Sequence, residues 1–127
     1  MEKKIINTEK APAAIGPYSQ AVQVGNLVYT SGQLPIDMET KELVKDDVKK
    51  AAEMCLKNAK AILEEAGTSL DKVVKSLVFV RDMNDFAAIN EVYGKFFTEN
   101  YPARSCVQAA KLPLDAPVEM EFIAIVE

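Results

Sequence analysis

In the stretch NYPARSCVQAAKLP, residues 100–113, Arg104 and Cys106 stand two apart in a run that reads as a β-strand. Strand side chains alternate between faces, so a guanidinium and a thiol are brought to the same side. Two chemistries fit the pair. A thiol beside a cation is a candidate nucleophile, because the charge favours the thiolate. A planar guanidinium fork is equally a receptor for a carboxylate ligand, with the cysteine no more than part of the wall. The neighbours Ala103, Ser105 and Cys106 are small or apolar and leave the charge of Arg104 few local partners. A second pair of reactive groups lies in VEMEFIAIV, where Glu119 and Glu121 share a strand face with Ile123 and Ile125. A carboxylate enclosed among isoleucines has its pKa raised toward the range of a general base, whereas one at a wetted strand end keeps its ordinary value. The pattern leaves both readings open.

The rest of the inventory is restrictive. The chain has no histidine, which removes the commonest general base, the commonest metal ligand and every Ser-His or Cys-His dyad. Catalysis must then run on carboxylates, Arg, Tyr, Lys, Cys, backbone groups or water. Cys55 and Cys106 are the only cysteines and lack CxxC spacing, which argues against a disulfide scaffold and a structural zinc site. A net charge of -4 argues against nucleic-acid binding, which rests on clustered Lys and Arg. No long apolar run follows Lys3 and Lys4, so neither a signal peptide nor a membrane span is expected, and the default location is the cytosol.

The elements that must position these groups form one domain, residues 1–127, since a chain of this length at 49% apolar can build a single core. Gln20–Val24 and Leu27–Ser31 flank Gly25-Asn26, a hairpin signal, and Lys3–Asn7 can add a strand. GQLPIDMETKELV reads as a turn-rich connection. From Asp46 to Ala66 apolar residues recur every three or four positions, which predicts an amphipathic helix capped by Asp46 or Asp47 and ended by Gly67. Cys55 sits on its apolar stripe as a small core residue. VVKSLVFVR, residues 73–81, predicts an inner strand. Asn84 is expected to cap a second helix whose buried stripe is Phe86, Ile89, Tyr93 and Phe97, and two last strands run over 103–111 and 118–126. The expected fold is α+β: a mixed sheet of about six strands with two helices on one face.

Two helices cannot cover both faces of that sheet. Met120, Phe122, Ala124 and Val126 take the helix side, so Ile123 and Ile125 are left on the other. An open sheet normally keeps its second face polar. A second copy of the chain is the simplest cover, which predicts a homo-oligomer.

Four stretches carry a resemblance. APAAIGPYSQA, VYTSGQLP, VRDMNDFAAINEVYGKFF, and YPARSCVQAAKLP followed by VEMEFIA, in that order between about Ile6 and Val126, resemble the RidA/YjgF family of reactive-imine deaminases. The resemblance implies a chorismate-mutase-like sandwich assembled as a homotrimer, with a ligand site at each subunit seam. It implies hydrolysis of the enamines and imines released by pyridoxal-phosphate enzymes (2-aminoacrylate, 2-iminopropanoate, 2-iminobutanoate) to 2-oxo acids and ammonia, a form of metabolite damage control that needs no cofactor or metal. Residue by residue, Arg104 is similar to the arginine that pairs with the substrate carboxylate and Glu119 to the glutamate that positions water. Tyr18, Ser31, Gly32, Asn90 and Cys106 match the remaining pocket positions. Relatives with Ser or Thr in place of Cys106 count against a nucleophilic thiol. Other roles attributed to relatives are a non-catalytic binding or sensor trimer for 2-oxo or amino acids, an endoribonuclease or translation inhibitor, and a chaperone. The acidic pI near 5.0 and the missing histidine disfavour the ribonuclease.

Overall fold

The computed structural model describes residues 1–127. Gly25, at φ 59°, and Asn26 turn the chain between β2 (Ala21–Val24) and β3 (Leu27–Thr30), and β1 (Lys3–Ile6) pairs antiparallel with β2. The connection that follows is not all turn. It holds a two-stranded ribbon, β4 (Ile36–Asp37) and β5 (Glu42–Leu43), whose strands are too short to show an alternating pattern. Helix α1 (Val48–Glu65) starts where Asp47 Oδ1 accepts from the Lys50 N–H at 3.0 Å, and ends before Gly67, which takes a left-handed φ of 88°.

Strand β6 (Val73–Val80) leads to α2 (Phe86–Phe96), followed by β7 (Ala103–Gln108) and β8 (Val118–Ile125). Asn84 does not cap α2. Asp82 Oδ1 accepts from the Asn84 N–H at 2.9 Å and starts a single 3₁₀ turn, Met83–Asp85, that runs into the helix. The helix itself starts without a side-chain cap, and the Met83 carbonyl of the 3₁₀ turn accepts from the Phe86 N–H.

The main sheet has the order β1-β2-β3-β8-β6-β7, antiparallel except for β6 and β7. The expected mixed six-stranded sheet with two helices is therefore present. Leu56, Ile62 and Leu63 of α1 and Ile89, Val92 and Tyr93 of α2 are buried in one core cluster with Val78, Val80, Met120 and Phe122 of the sheet. Cys55 is fully buried there, its Sγ 3.7 Å from the Val118 carbonyl oxygen.

Strand β8 alternates strictly between buried and half-buried residues. Its second set, Glu119, Glu121, Ile123 and Ile125, faces away from the core. In register beside it stand Phe79, Leu77 and Tyr29. Within a single chain this apolar face is open: Tyr29 is 40% exposed, and Ile123 and Ile125 are half-buried. No helix is long and apolar enough to cross a membrane.

Candidate active site

Glu119 enters the second residue of β8 opposite Phe79, on the open face of the sheet. The segment before β4 is laid beside it by a two-way bridge, Gln33 N–H to Met120 O at 2.7 Å and Met120 N–H to Gln33 O at 3.2 Å. This places Gly32 under the Glu119 carboxylate, so close that an added Cβ would stand 2.6 Å from Oε2. Ser31 donates its hydroxyl to the Ser19 carbonyl at 2.6 Å, and Tyr18 is half-exposed. Tyr18, Ser31, Gly32 and Glu119 line one cavity of about 510 Å³, with Ile15, Leu34, Ile36 and Leu114 among its apolar walls. Burial pushes the Glu119 carboxyl above its ordinary value of 4.5, and the like charge of Glu121 adds to the rise. The half-buried position and the upward shift favour the enclosed carboxylate of the two readings.

Arg104 lies on the other side of the sheet. In the parallel β6–β7 register it stands opposite Ser76, and Cys106 opposite Val78. Both partners are buried on the helix side. Arg104 has more partners than its strand neighbours suggested, because α2 supplies them. Nη1 donates to Asn90 Oδ1 at 2.7 Å, and the guanidinium carbon lies 4.7 Å from the Tyr93 ring centre and 5.4 Å from that of Phe86. The Tyr93 hydroxyl shares a buried 2.7 Å hydrogen bond with Ser76, which ties the ring to β6. Phe86, Asn90 and Tyr93 are spaced as one helix face, and the three form a cradle. Asn90 is neutral, so the cradle orients the cation without neutralising it.

Cys106 is half-buried against the core. Burial pushes its thiol up, outweighing the downward pull of Arg104. A thiol held protonated is a poor nucleophile. The anion-site reading of the Arg104 and Cys106 pair therefore gains over the nucleophile.

The seven residues fall into two groups. Tyr18, Ser31, Gly32 and Glu119 share the open-face cavity; Asn90 and Arg104 line a second one of about 420 Å³ with Tyr101 and Pro102, and Cys106 stands beside them in β7. The sheet separates the groups, and one chain does not bring them together. Sequence reasoning placed Phe86 and Tyr93 only in the core; their spacing around Asn90 carried the missing signal. It also missed two buried amides that hold the cavity wall. Gln20 accepts from the Thr8 N–H at 2.7 Å and donates to the carbonyls of Thr8 and Pro12 at 3.0 and 2.9 Å. Asn58 donates from α1 to the carbonyls of Leu34 and Ile36 at 3.2 and 2.9 Å. A polar side chain inside an apolar stripe is the sign that could have found Asn58.

The sequence pattern of the family described as endoribonuclease L-PSP matches residues 8–126. The chain belongs to that family, also called RidA/YjgF. It is 54% identical over 127 residues to a RutC family protein of Pyrococcus abyssi, covering all of both chains. It is 52% identical over 125 residues to the 2-iminobutanoate/2-iminopropanoate deaminase of Salmonella typhimurium, covering 96% of this chain and 97% of that one. Among solved structures, Escherichia coli TdcF with bound serine superposes with a TM-score of 0.92 at 50% identity, covering 98% and 99% of the two chains. The YjgF gene product of the same organism gives 0.93 at 49% identity, again covering 98% and 99%. The family and its fold are thereby established for this chain. Relatives named as deaminases support deaminase chemistry in it.

Proposed function

We propose that the protein hydrolyses short 2-imino acids and their enamine tautomers, 2-aminoacrylate, 2-iminopropanoate and 2-iminobutanoate, to 2-oxo acids and ammonia. The observation that carries this reading is the Glu119 carboxylate, half-buried over Gly32 with its proton affinity raised. Such a group is suited to take a proton from water near neutral pH.

An imine is already electrophilic, so the reaction asks mainly for position. The Arg104 fork pairs with the substrate carboxylate. Glu119 takes a proton from water as the oxygen bonds to C-2 and passes it to the imine nitrogen, giving a carbinolamine. It then takes the hydroxyl proton and delivers it to nitrogen as the C=O bond forms, the C–N bond breaks and ammonia leaves. Tyr18, Ser31, Gly32, Asn90 and Cys106 shape the pocket.

Because Glu119 and Arg104 lie on opposite sides of their own sheet, a complete site needs the Glu119 group of one copy and the Arg104 group of another. Strand β7 is the sheet edge, which leaves the Arg104 group at the rim of the molecule. The open apolar face gives the copies a reason to pack, and a homotrimer with seam sites meets both demands.

The test adds the purified protein to a pyridoxal-phosphate serine or threonine dehydratase with semicarbazide present to trap free imine. Faster 2-oxo acid release and less trapped imine are expected in proportion to protein added. Identical rates at every protein concentration would leave the second reading, a trimer that binds small amino or 2-oxo acids without turnover. That reading is favoured by the serine bound to TdcF. The family's endoribonuclease description finds little support in a chain of net charge -4 without histidine.

A further inference from the structure

We infer that a cavity between α1 and the β4–β5 ribbon is a second ligand site, one that takes a free α-amino acid as its zwitterion. The inference stands apart from the deaminase reading. The cavity, of about 410 Å³, runs along α1 on the helix side of the sheet, away from the open face, and shares no residue with the Glu119 or Arg104 groups. Asn58 is the residue that marks it. Although it is only 3% exposed, Asn58 lines the cavity from the apolar stripe of α1, and its Nδ2 donates to the carbonyls of Leu34 and Ile36 at 3.2 and 2.9 Å. Two carbonyl oxygens can be met only by the amide NH₂, so these bonds fix which way the amide points. Oδ1 accepts from no group of the chain, yet no side-chain oxygen sealed inside the protein lacks a partner, so Oδ1 opens into the cavity. A nearly buried acceptor on a cavity wall asks for a donor from outside the chain.

The charges around Oδ1 say what kind of donor. Lys10, Lys50 and Lys57 face Asp37, Glu39 and Glu53 across the cavity, a balance that suits a ligand with one charge of each sign better than an anion or a polycation. The three carboxylates do not converge into a metal-binding group. Their pairing with the lysines is loose, since Lys50 Nζ stands 3.5 Å from Asp37 Oδ2 and Lys57 Nζ 3.4 Å from Glu53 Oε1, while Lys10 and Glu39 enter no ion pair. Asp37 alone is held firmly, its Oδ1 accepting from the Glu39 N–H at 2.9 Å. The ligand's ammonium group then belongs against Asn58 Oδ1 and the Asp37 and Glu53 carboxylates, and its carboxylate against Lys10. Met38 and Met54, flexible and polarizable, give its side chain an adaptable wall.

The experiment titrates L-methionine into the unaltered protein and into Arg104→Ala, which disables the carboxylate partner of the other site, with calorimetry for affinity and amide NMR for location. Both proteins should bind it, with shifts at Asp37, Met54 and Asn58. L-Methioninamide and N-acetyl-L-methionine each lack one of the two charges and should bind at least about tenfold more weakly, the scale of one hydrogen bond to a charged group. Lys10→Ala and Glu53→Gln should each weaken L-methionine up to about fivefold, the upper range for a solvent-exposed ion pair, with the melting temperature unchanged. Silence at about 20 mM, a concentration that saturates even a millimolar site, would make water the partner of Oδ1 and overturn the inference. Binding that disappears in Arg104→Ala, single-charge analogues that bind as well as L-methionine, or an affinity that neither Lys10→Ala nor Glu53→Gln alters would overturn it too.

Discussion

Gly32 and Glu119 occupy one space: a Cβ built on Gly32 would stand 2.6 Å from Glu119 Oε2 and 2.7 Å from its Cδ. No left-handed φ is involved at Gly32, so the glycine is there for room alone. The obstructing group is the end of a flexible side chain, which can swing away without disturbing the sheet. Gly32→Ala should therefore keep its melting temperature within a few degrees while turnover falls roughly a hundredfold, the scale of a catalytic group displaced by an ångström. Retained turnover would show that the carboxylate does its work elsewhere.

Glu119→Gln separates charge from shape. The carboxyl is held above 4.5 in the folded chain, so the folded state binds more protons than the unfolded one from 4.5 up to that raised value. The stabilising contribution is complete below 4.5 and is lost as pH rises through the window. Paired thermal melts should show the unaltered protein losing ground to Glu119→Gln as pH rises above about 4.5 and through the raised carboxyl pKa. Turnover at neutral pH should fall by at least about a hundredfold, the lower range for loss of a general base. A variant that is both less stable at pH 8 and fully active would contradict both halves.

Cys106→Ser changes little volume and removes a thiol that burial keeps protonated. Most activity should remain. Iodoacetamide should modify Cys106 more slowly than a free thiol and, once attached, block the pocket by bulk. Rapid alkylation at neutral pH, or loss of turnover in the serine variant, would revive the nucleophile.

The fold was legible wherever one period ran long enough. The stripe from Val48 to Ala66 and the alternation through β8 each fixed an element and its buried face, and the two isoleucines left over pointed to the uncovered side. The β4–β5 ribbon escaped because two residues cannot express a period. The start of α2 escaped because Asp82 and Asn84 are equally good acceptors, and Asp82 turns the chain into a 3₁₀ turn that runs into the helix without a side-chain cap. The site was legible in types and not in arrangement. Strand alternation placed Arg104 with Cys106, yet nothing local shows that Arg104 and Glu119 stand on opposite sides of one sheet, because that depends on how β6 pairs with β7 and β8.

That separation has a measurable consequence for assembly. If the two groups meet only across a seam, turnover should require the oligomer. Sedimentation should give three 14.0 kDa copies, about 42 kDa. Ile123→Lys, which sets a charge on the open face, should dissociate the assembly and abolish turnover together, with the far-ultraviolet spectrum of the fold retained. An active monomer at micromolar concentration would defeat the seam site.

The cradle around Arg104 yields the sharpest distinction between holding a substrate and holding the fold. Arg104→Ala removes the carboxylate's partner and should lower kcat/KM roughly a hundredfold, within the range for truncating one member of a charge pair. Arg104→Lys should recover part of that loss, since it keeps the charge and loses the planar fork. Phe86→Leu leaves bulk but removes one ring face, 5.4 Å from the guanidinium carbon. With a cation–π contact at an exposed site worth about 0.5 to 1 kcal/mol, KM should rise about two- to fivefold at nearly constant kcat. Tyr93→Phe does the reverse. It keeps the ring face at 4.7 Å and strands the Ser76 hydroxyl, so stability should fall by about 1 kcal/mol while KM stays put. The four variants are read together by steady-state kinetics and thermal melts. A Phe86→Leu enzyme with unchanged KM, or a Tyr93→Phe enzyme that loses substrate affinity without losing stability, would show that the rings support the core and that Asn90 alone orients the guanidinium.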